Sequence, residues 1–573
     1  AAAADVALVP ALPGAGGRHT FAHALIPHPL YEDLGPTRRA RTHRRVAEAL
    51  EDLCGDRPGS RVGELARHWL AATQPIDLER AIGYSKQAAD AALAALAPGD
   101  ALHYYAQALD LLGQADDADP LLDVDLTIGL GIAQRQTGDR AFRETLLDAA
   151  RRADLLDDTG RLVAAALANT RGWMSAIGAI DQQKVDVLET TRDRLPADDP
   201  QRALVLATLC AELMFGSPLE QRRALADEAT AIAEASGDDA VIALVLNHVF
   251  LPLIVPSLLA ESLARTAEAL DRAARSGDPW LIFFAASHRQ DAAGRAGDLA
   301  EKDRCLDIAG AMAERLQQPS LLWMHGFTRA QRAFMAGDTA EADRGATAAF
   351  AVGDAGGAPD AVMFLGAHQI QMAWLRGAMA EVVPLMEQLS ADTPVLPHAL
   401  ASGLARALAD AERFEDARSV LAEVASTGFE HPIDQMWCTD IGHYAEAAVL
   451  CGDASSAGPL HDLLAPWADQ WVATGATCDG PVSHYLGGLA AVLGRFDEAH
   501  AHFGRSAAVC AAAGAPFFAA RTDLQWGTML AQRGGPGDTE KAADLLRRAH
   551  VAAVAKGYGA VERRAEAALH GMA

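Results

Sequence analysis

Gly337-Asp338-Thr339-Ala340-Glu341-Ala342 and Gly494-Arg495-Phe496-Asp497-Glu498-Ala499 decide how this chain is read. Each is a tight turn. The glycine supplies the left-handed backbone that ends one helix, and in the first the aspartate after it caps the next. Related turns fall near Gly99, Gly138, Gly178, Gly216, Pro256, Gly297, Gly377, Glu412, Gly452 and Gly537. Along the full set the successive intervals run 39, 40, 38, 40, 41, 40, 40, 35, 40, 42 and 43 residues. A spacing held that close to 40 marks an internal repeat.

Each period divides into two amphipathic stretches of roughly 15 residues, the length of an ordinary helix. Pro279–Ala296, the Gly297-Asp298 turn and Ala300–Leu316 form one such pair. A second kind of break separates the periods, as at Ser236-Gly237-Asp238-Asp239, Ser276-Gly277-Asp278-Pro279 and Gly514-Ala515-Pro516. Proline just past the break sits in the first helical turn, where its missing N–H is harmless. A helical hairpin cannot bury its own apolar face, but stacked neighbours can. The expected fold is therefore all-α: a right-handed α-solenoid of about a dozen hairpins. The turns resemble those of tetratricopeptide repeats, and Tyr104-Tyr105-Ala106-Gln107-Ala108-Leu109 resembles the second helix of one. The period of about 40 exceeds the 34 residues of that family, which implies longer helices or looser linkers.

The first 95 residues read differently, dividing the chain into an arm at 1–95 and a repeat region at 96–573. Val6–Pro10 and His19–Phe21 suggest short strands around the Gly14–Gly17 loop, a small winged-helix-like cap. Helices are expected from Pro29, from about Thr37 to Leu53, and around Val62–Ala71. One block joins Phe21–Ile26, Leu30–Leu34 and the basic run Arg38–Glu51, and Glu64-Leu65-Ala66-Arg67-His68-Trp69 follows it. This block resembles the segment after the ATPase module in bacterial STAND-type signalling proteins, among them large ATP-binding LuxR-type regulators and multidomain nucleotide cyclases. In that family the block ends a winged-helix-like arm and leads into a helical-repeat sensor. Gly494–Ala567 resembles the end of that sensor. The resemblance implies a non-catalytic, cytoplasmic module of an ATP-dependent regulator, with a cyclase or transcriptional output on another domain. A freestanding repeat scaffold is the alternative, and an enzyme with a pocket in the solenoid a remote one. No GxxxxGK[ST] loop occurs, so the phosphate-cradling element of the ATPase is missing here. The chain, opening on Ala-Ala-Ala-Ala-Asp, reads as a piece of something longer. The pattern of its end leans toward a cyclase-linked parent.

Composition narrows the partners. The net charge of −27 over 573 residues argues against general nucleic-acid binding. Half the residues are hydrophobic but only 6% are aromatic, as close Ala-rich helix packing requires. The seven cysteines, Cys54, Cys210, Cys305, Cys438, Cys451, Cys478 and Cys510, are scattered and read as small buried residues in a reducing compartment. No apolar run reaches the roughly 18 residues of a membrane span. Trp437, Trp467 and Trp471 lie close in sequence and read as packing residues.

Two sets of residues stand out as candidate sites. Arg38, Arg39, Arg41, Arg44 and Arg45 fall within eight residues, and Arg38, Arg41 and Arg45 share a helix face. They read as an interdomain docking patch for the upstream ATPase or an acidic partner surface, as a solvated face beside Glu48 and Glu51, or, third, as a DNA contact. The second set comes from counting back along the first helix of each period. Nine residues before the turns lie His288, Thr328, His368, Gly403, His443 and Tyr485, and six before lie Asp291, Gln331, Gln371, Arg406, Glu446 and Gly488. Stacked, they predict a polar stripe on the concave wall, read as lining a groove for a protein partner or small-molecule inducer, or as an ordinary wetted helix face with no ligand. No cofactor, metal site or catalytic constellation is expected. His500 and His502, two apart on a helix, point to different faces.

Overall fold

The computed structural model describes residues 31, 33–55, 58–72, 77–173, 175, 177–392 and 397–572. The winged-helix-like strands expected at Val6–Pro10 and His19–Phe21, with the start of the helix from Pro29, lie outside these residues. Among the described residues the chain is an α-solenoid: 27 α-helices in sequential hairpins and a single two-stranded ribbon. No helix among them is long and apolar enough to cross a membrane.

The helices divide between two compact units, one holding residues up to 134 with 141–157, the other 135–140 with 158–573. The first unit opens with α1 (Pro36–Cys54), α2 (Val62–Ala72), α3 (Leu78–Ala94) and α4 (Pro98–Leu112). The 95/96 division of the sequence falls within it. Trp69 is its largest fully buried side chain, packed with Leu65, Ile82 and Tyr105, and the Trp69 indole donates to Glu51 at 3.1 Å. Helices α5 (Pro120–Thr137) and α6 (Phe142–Leu155) follow.

The second unit carries the repeats α7 (Thr159–Ala168) to α27 (Gly559–Met572). Its regularity comes from the backbone of the turns. Gly297, Gly337, Gly377, Gly452 and Gly494 all have φ between 63° and 79°, a region closed to most side chains. Glu412 takes the same conformation at φ 62°, which keeps the period without a glycine. Two expected turns differ. Gly99 lies inside α4, and the left-handed residue there is Leu96. Pro256 opens a short 3-10 turn, Pro256–Leu258. The aspartates cap as expected: the carboxylates of Asp298 and Asp338 each accept from the N–H of the glutamate three residues on, at 3.0 Å.

Small residues sit where helices approach. α15 (Pro319–Met335) packs on α16 (Thr339–Ala355) through Ala330, Ala342, Ala346 and Ala349. A Cβ on Gly326 would lie 2.8 Å from that of Ala349. At this spacing a leucine in place of alanine would push the helices apart.

One element breaks the helical pattern. Between α22 (Ala454–Leu464) and α23 (Val482–Val492), β1 (Trp471–Ala473) and β2 (Cys478–Pro481) form an antiparallel hairpin, with Trp471 opposite Pro481 and Val472 opposite Gly480. Every residue of both strands is buried.

Candidate functional site

The stripe residues come from consecutive first helices: α13 (Pro279–Arg295), α15, α17 (Ala361–Arg376), α19 (Pro397–Asp410), α21 (Trp437–Cys451) and α23. Of the residues six before each turn, Gln331, Gln371 and Arg406 meet the hairpin. Gln331 donates its amide to the carbonyls of Thr474 and Thr477, both at 2.7 Å. Gln371 donates to the carbonyl of Cys478 at 2.6 Å. Arg406 donates to the carboxylate of Asp479 at 2.6 Å, and Glu446 binds Arg521 at 2.7 Å. Asp291 pairs with Arg295 at 3.3 Å, and Arg295 reaches the carbonyl of Gln435 at 3.5 Å.

The residues nine before each turn behave unevenly. His443 lies 3.4 Å from the Asp479 carboxylate, and the Tyr485 hydroxyl donates to the Asp479 carbonyl at 2.7 Å. Gly403 has no side chain to offer, and the other three turn elsewhere. His288 stacks on Phe250, with centroids 4.7 Å apart, and burial lowers its imidazole to about 3. Thr328 donates to its own helix at the His325 carbonyl. His368 meets Asp343 on α16, the second helix of the preceding repeat, at 2.9 Å.

A buried ribbon edge explains this chemistry. Its unpaired carbonyls need donors in place of a neighbouring strand. Gln331, Gln371 and Tyr485 supply them, with Arg521 at 3.4 Å from the Asp479 carbonyl. The charges are arranged around Asp479 in the same way. Burial opposes its ionisation, but His443 and Arg406 outweigh that and hold the carboxyl at about 2. Arg406 and Arg521 also sandwich the Trp374 ring, 4.7 and 4.3 Å from its centroid. Behind Gln331, Lys302 donates to its side-chain oxygen at 3.1 Å and to Gln290 at 2.6 Å, and burial lowers this ammonium to about 8.

Two features escaped the sequence reading. One is the hairpin itself. The other is Asp440, buried beneath the stripe, which accepts from Ser402 at 2.8 Å and lies 3.3 Å from His431. Burial raises the Asp440 carboxyl well above its ordinary value and lowers His431 to about 4. Burial thus favours the neutral form of each group, whereas Arg406 and His443 favour the ionised form of Asp479.

In the first unit the basic cluster lies along α1. Arg38, Arg41, Arg44 and Arg45 are exposed. Arg44 pairs with Glu48 at 3.0 Å and with Asp77 at 3.5 Å, while Arg39 sits over the Tyr31 ring at 5.2 Å.

No protein-family model matches the sequence, and no curated protein matches it. Among solved structures the chain is similar to a Signal Transduction ATPase with Numerous Domains (STAND) protein with a tetratricopeptide repeat sensor from Pyrococcus horikoshii, at 10% identity and a TM-score of 0.36, over 79% of this chain and 66% of that one. It is similar to yeast Tom70 at 13% identity and a TM-score of 0.28, over 86% and 96%. It is also similar to a circular tandem repeat protein with novel repeat topology, at 12% identity and a TM-score of 0.13, over 93% and 96%.

Proposed function

We propose that this chain is a non-catalytic sensor and protein-interaction module, the C-terminal arm of an ATP-dependent signalling regulator. Its inner wall recognises extended polypeptide, and the 471–481 hairpin is the resident occupant. The observation behind this is the match between wall and main chain: Gln331, Gln371 and Tyr485 donate to carbonyls, while Arg406 and His443 hold a carboxylate. A partner carrying an extended segment with an acidic residue meets the same donors once the hairpin withdraws.

The hairpin suits this role because it is poorly self-supporting. Strands of three and four residues are not stable alone, and its outer carbonyls depend on side chains rather than on a ladder. Exchange of occupant shifts the module between two packings by the difference in their affinities. In the parent, the exposed arginines of α1 dock the upstream ATPase, and the output is a nucleotide cyclase or a transcriptional domain, as the Phe21–Glu51 block suggests.

The test supplies the hairpin in trans. Residues 472–479 are replaced by a Gly/Ser linker, and a labelled peptide of residues 469–483 is added while anisotropy is followed. Saturable binding to the linker variant, absent in wild type and weakened at least tenfold by Arg406→Ala, is the expected result. A linker variant with native circular dichroism and no peptide binding overturns the proposal. If the linker variant does not fold, hydrogen exchange on the wild type decides.

A further inference from the structure

Outside the stripe, a second polar cluster lies between α22 and α24 (Phe496–Ala512): His461, Glu498 and His502. One donor atom from each lies within 4.8 Å of the others. His461 Nε2 is 3.0 Å from Glu498 Oε1, and His502 Nε2 is 3.9 Å from the same oxygen. The side chain of His461 is only 7% exposed, and although Nε2 lies 3.0 Å from the Glu498 carboxylate, neither ring nitrogen makes a hydrogen bond of acceptable geometry. A buried imidazole left without hydrogen bonds is unusual in a native fold and asks for an explanation.

We propose that His461, Glu498 and His502 form a binding site for a divalent transition-metal ion of the zinc class. Two imidazoles and a carboxylate make a donor set for zinc, cobalt or nickel rather than for magnesium or calcium. Zinc holds such ligands at about 2.0–2.2 Å, so that donors sharing a tetrahedral ion lie about 3.3 Å apart. The observed 3.0 and 3.9 Å bracket that spacing, and small side-chain shifts close the site.

The surroundings agree. His461 Nδ1 lies 3.7 Å from Asp462 Oδ1, too far for a hydrogen bond, so Asp462 is a nearby charge and not a ligand. Glu498 and His502, four apart on α24, share a face and leave the outer side of the site open to water. Arg495 lies 3.9 Å from the second Glu498 oxygen and Arg505 stands near His502; neither comes between the three donors. A bound ion would tie α22 to α24 and so clamp both ends of the segment that contains the hairpin.

The test uses the untagged, chelator-stripped chain with Co2+ as the probe. Titration is followed by visible d–d absorption, and Zn2+ is then added in competition. The site predicts one Co2+ per chain, displaced by Zn2+. Binding is weakened at least tenfold by His502→Ala or Glu498→Gln and unchanged by His500→Ala, whose imidazole instead accepts from Trp526 at 3.2 Å. No stoichiometric binding, or binding that His502→Ala leaves intact, overturns the site. His502 is partly exposed, so its variant is expected to fold, and circular dichroism verifies this.

Discussion

Arg406 and Asp479, 73 residues apart, meet at 2.6 Å with side chains only 4% and 1% exposed. This ion pair joins repeat helix α19 to the β1–β2 hairpin. Removing one partner of a buried pair leaves the other charge stranded, at a cost of about 3–5 kcal/mol. Arg406→Ala is expected to destabilise the second unit by that amount. Denaturant unfolding followed by tryptophan fluorescence measures it, since Trp374 lies under Arg406. A loss below about 1 kcal/mol, the range of an exposed pair, would show that the contact is solvated.

The two buried aspartates predict opposite pH behaviour. The Asp479 carboxyl at about 2 lies below an unfolded value of about 3.9. Its ionised form therefore stabilises the fold above about pH 4, and the contribution fades as pH falls through 2. Asp440 is raised, so ionisation in the unfolded chain draws stability away above about pH 4. At pH 7, Asp479→Asn is expected to lower the melting temperature. Asp440→Asn, which can still accept from Ser402, is expected to leave it equal or higher. The Asp479→Asn deficit should shrink between pH 4 and 2, as scanning calorimetry across that range would show.

Gly480 is the residue on which hairpin seating depends. It has φ 105°, and a Cβ there would lie 2.8 Å from Phe518 Cδ1. Gly480→Ala combines backbone strain with overlap, and a loss of about 2–4 kcal/mol is expected. Gly452 has φ 63° with open space around its Cβ position, and Gly452→Ala is expected to lose only about 1 kcal/mol. Parallel unfolding curves of the two variants compare them; equal losses would exclude a packing role for Gly480.

Thiol reactivity should separate one cysteine from the rest. Cys54 is partly exposed, while Cys210, Cys305, Cys438, Cys451, Cys478 and Cys510 are buried. Burial raises the thiols of Cys210, Cys438, Cys478 and Cys510 to about 12. A thiol reagent at pH 8 is expected to label Cys54 rapidly and the others only on unfolding. Rapid labelling of Cys478 in the native chain would mean that the hairpin opens readily.

The repeats were legible because their turns need left-handed backbone, and glycine marks that need in sequence. The helix from Thr37 to Leu53 and the pair around Gly297 fall within a residue or two of the observed elements. The hairpin was hidden by its own repeat. The interval from Gly452 to Gly494 looks regular, but α22 and α23 are only 11 residues each, and the chain released from them forms the ribbon.

The candidate stripe was half legible for a geometric reason. Residues three apart on a helix differ by about 60° around its axis. Gln331, Gln371 and Arg406 meet the hairpin, whereas His288 and His368 turn toward neighbouring helices and Thr328 bonds to its own. The His461 cluster was equally readable, as Glu498 and His502 four apart with a histidine one period upstream. Attention to His500 and His502, which diverge, obscured it.

Hydrogen exchange across the second unit tests the central claim most directly. If the hairpin is an exchangeable occupant of the wall, the amides of 471–481 exchange through a partial opening, faster than those of α13 and α15. Arg406→Ala then accelerates them selectively. Exchange of the hairpin only together with those helices, unaltered in rank by Arg406→Ala, would contradict the account and make the hairpin a permanent part of the core.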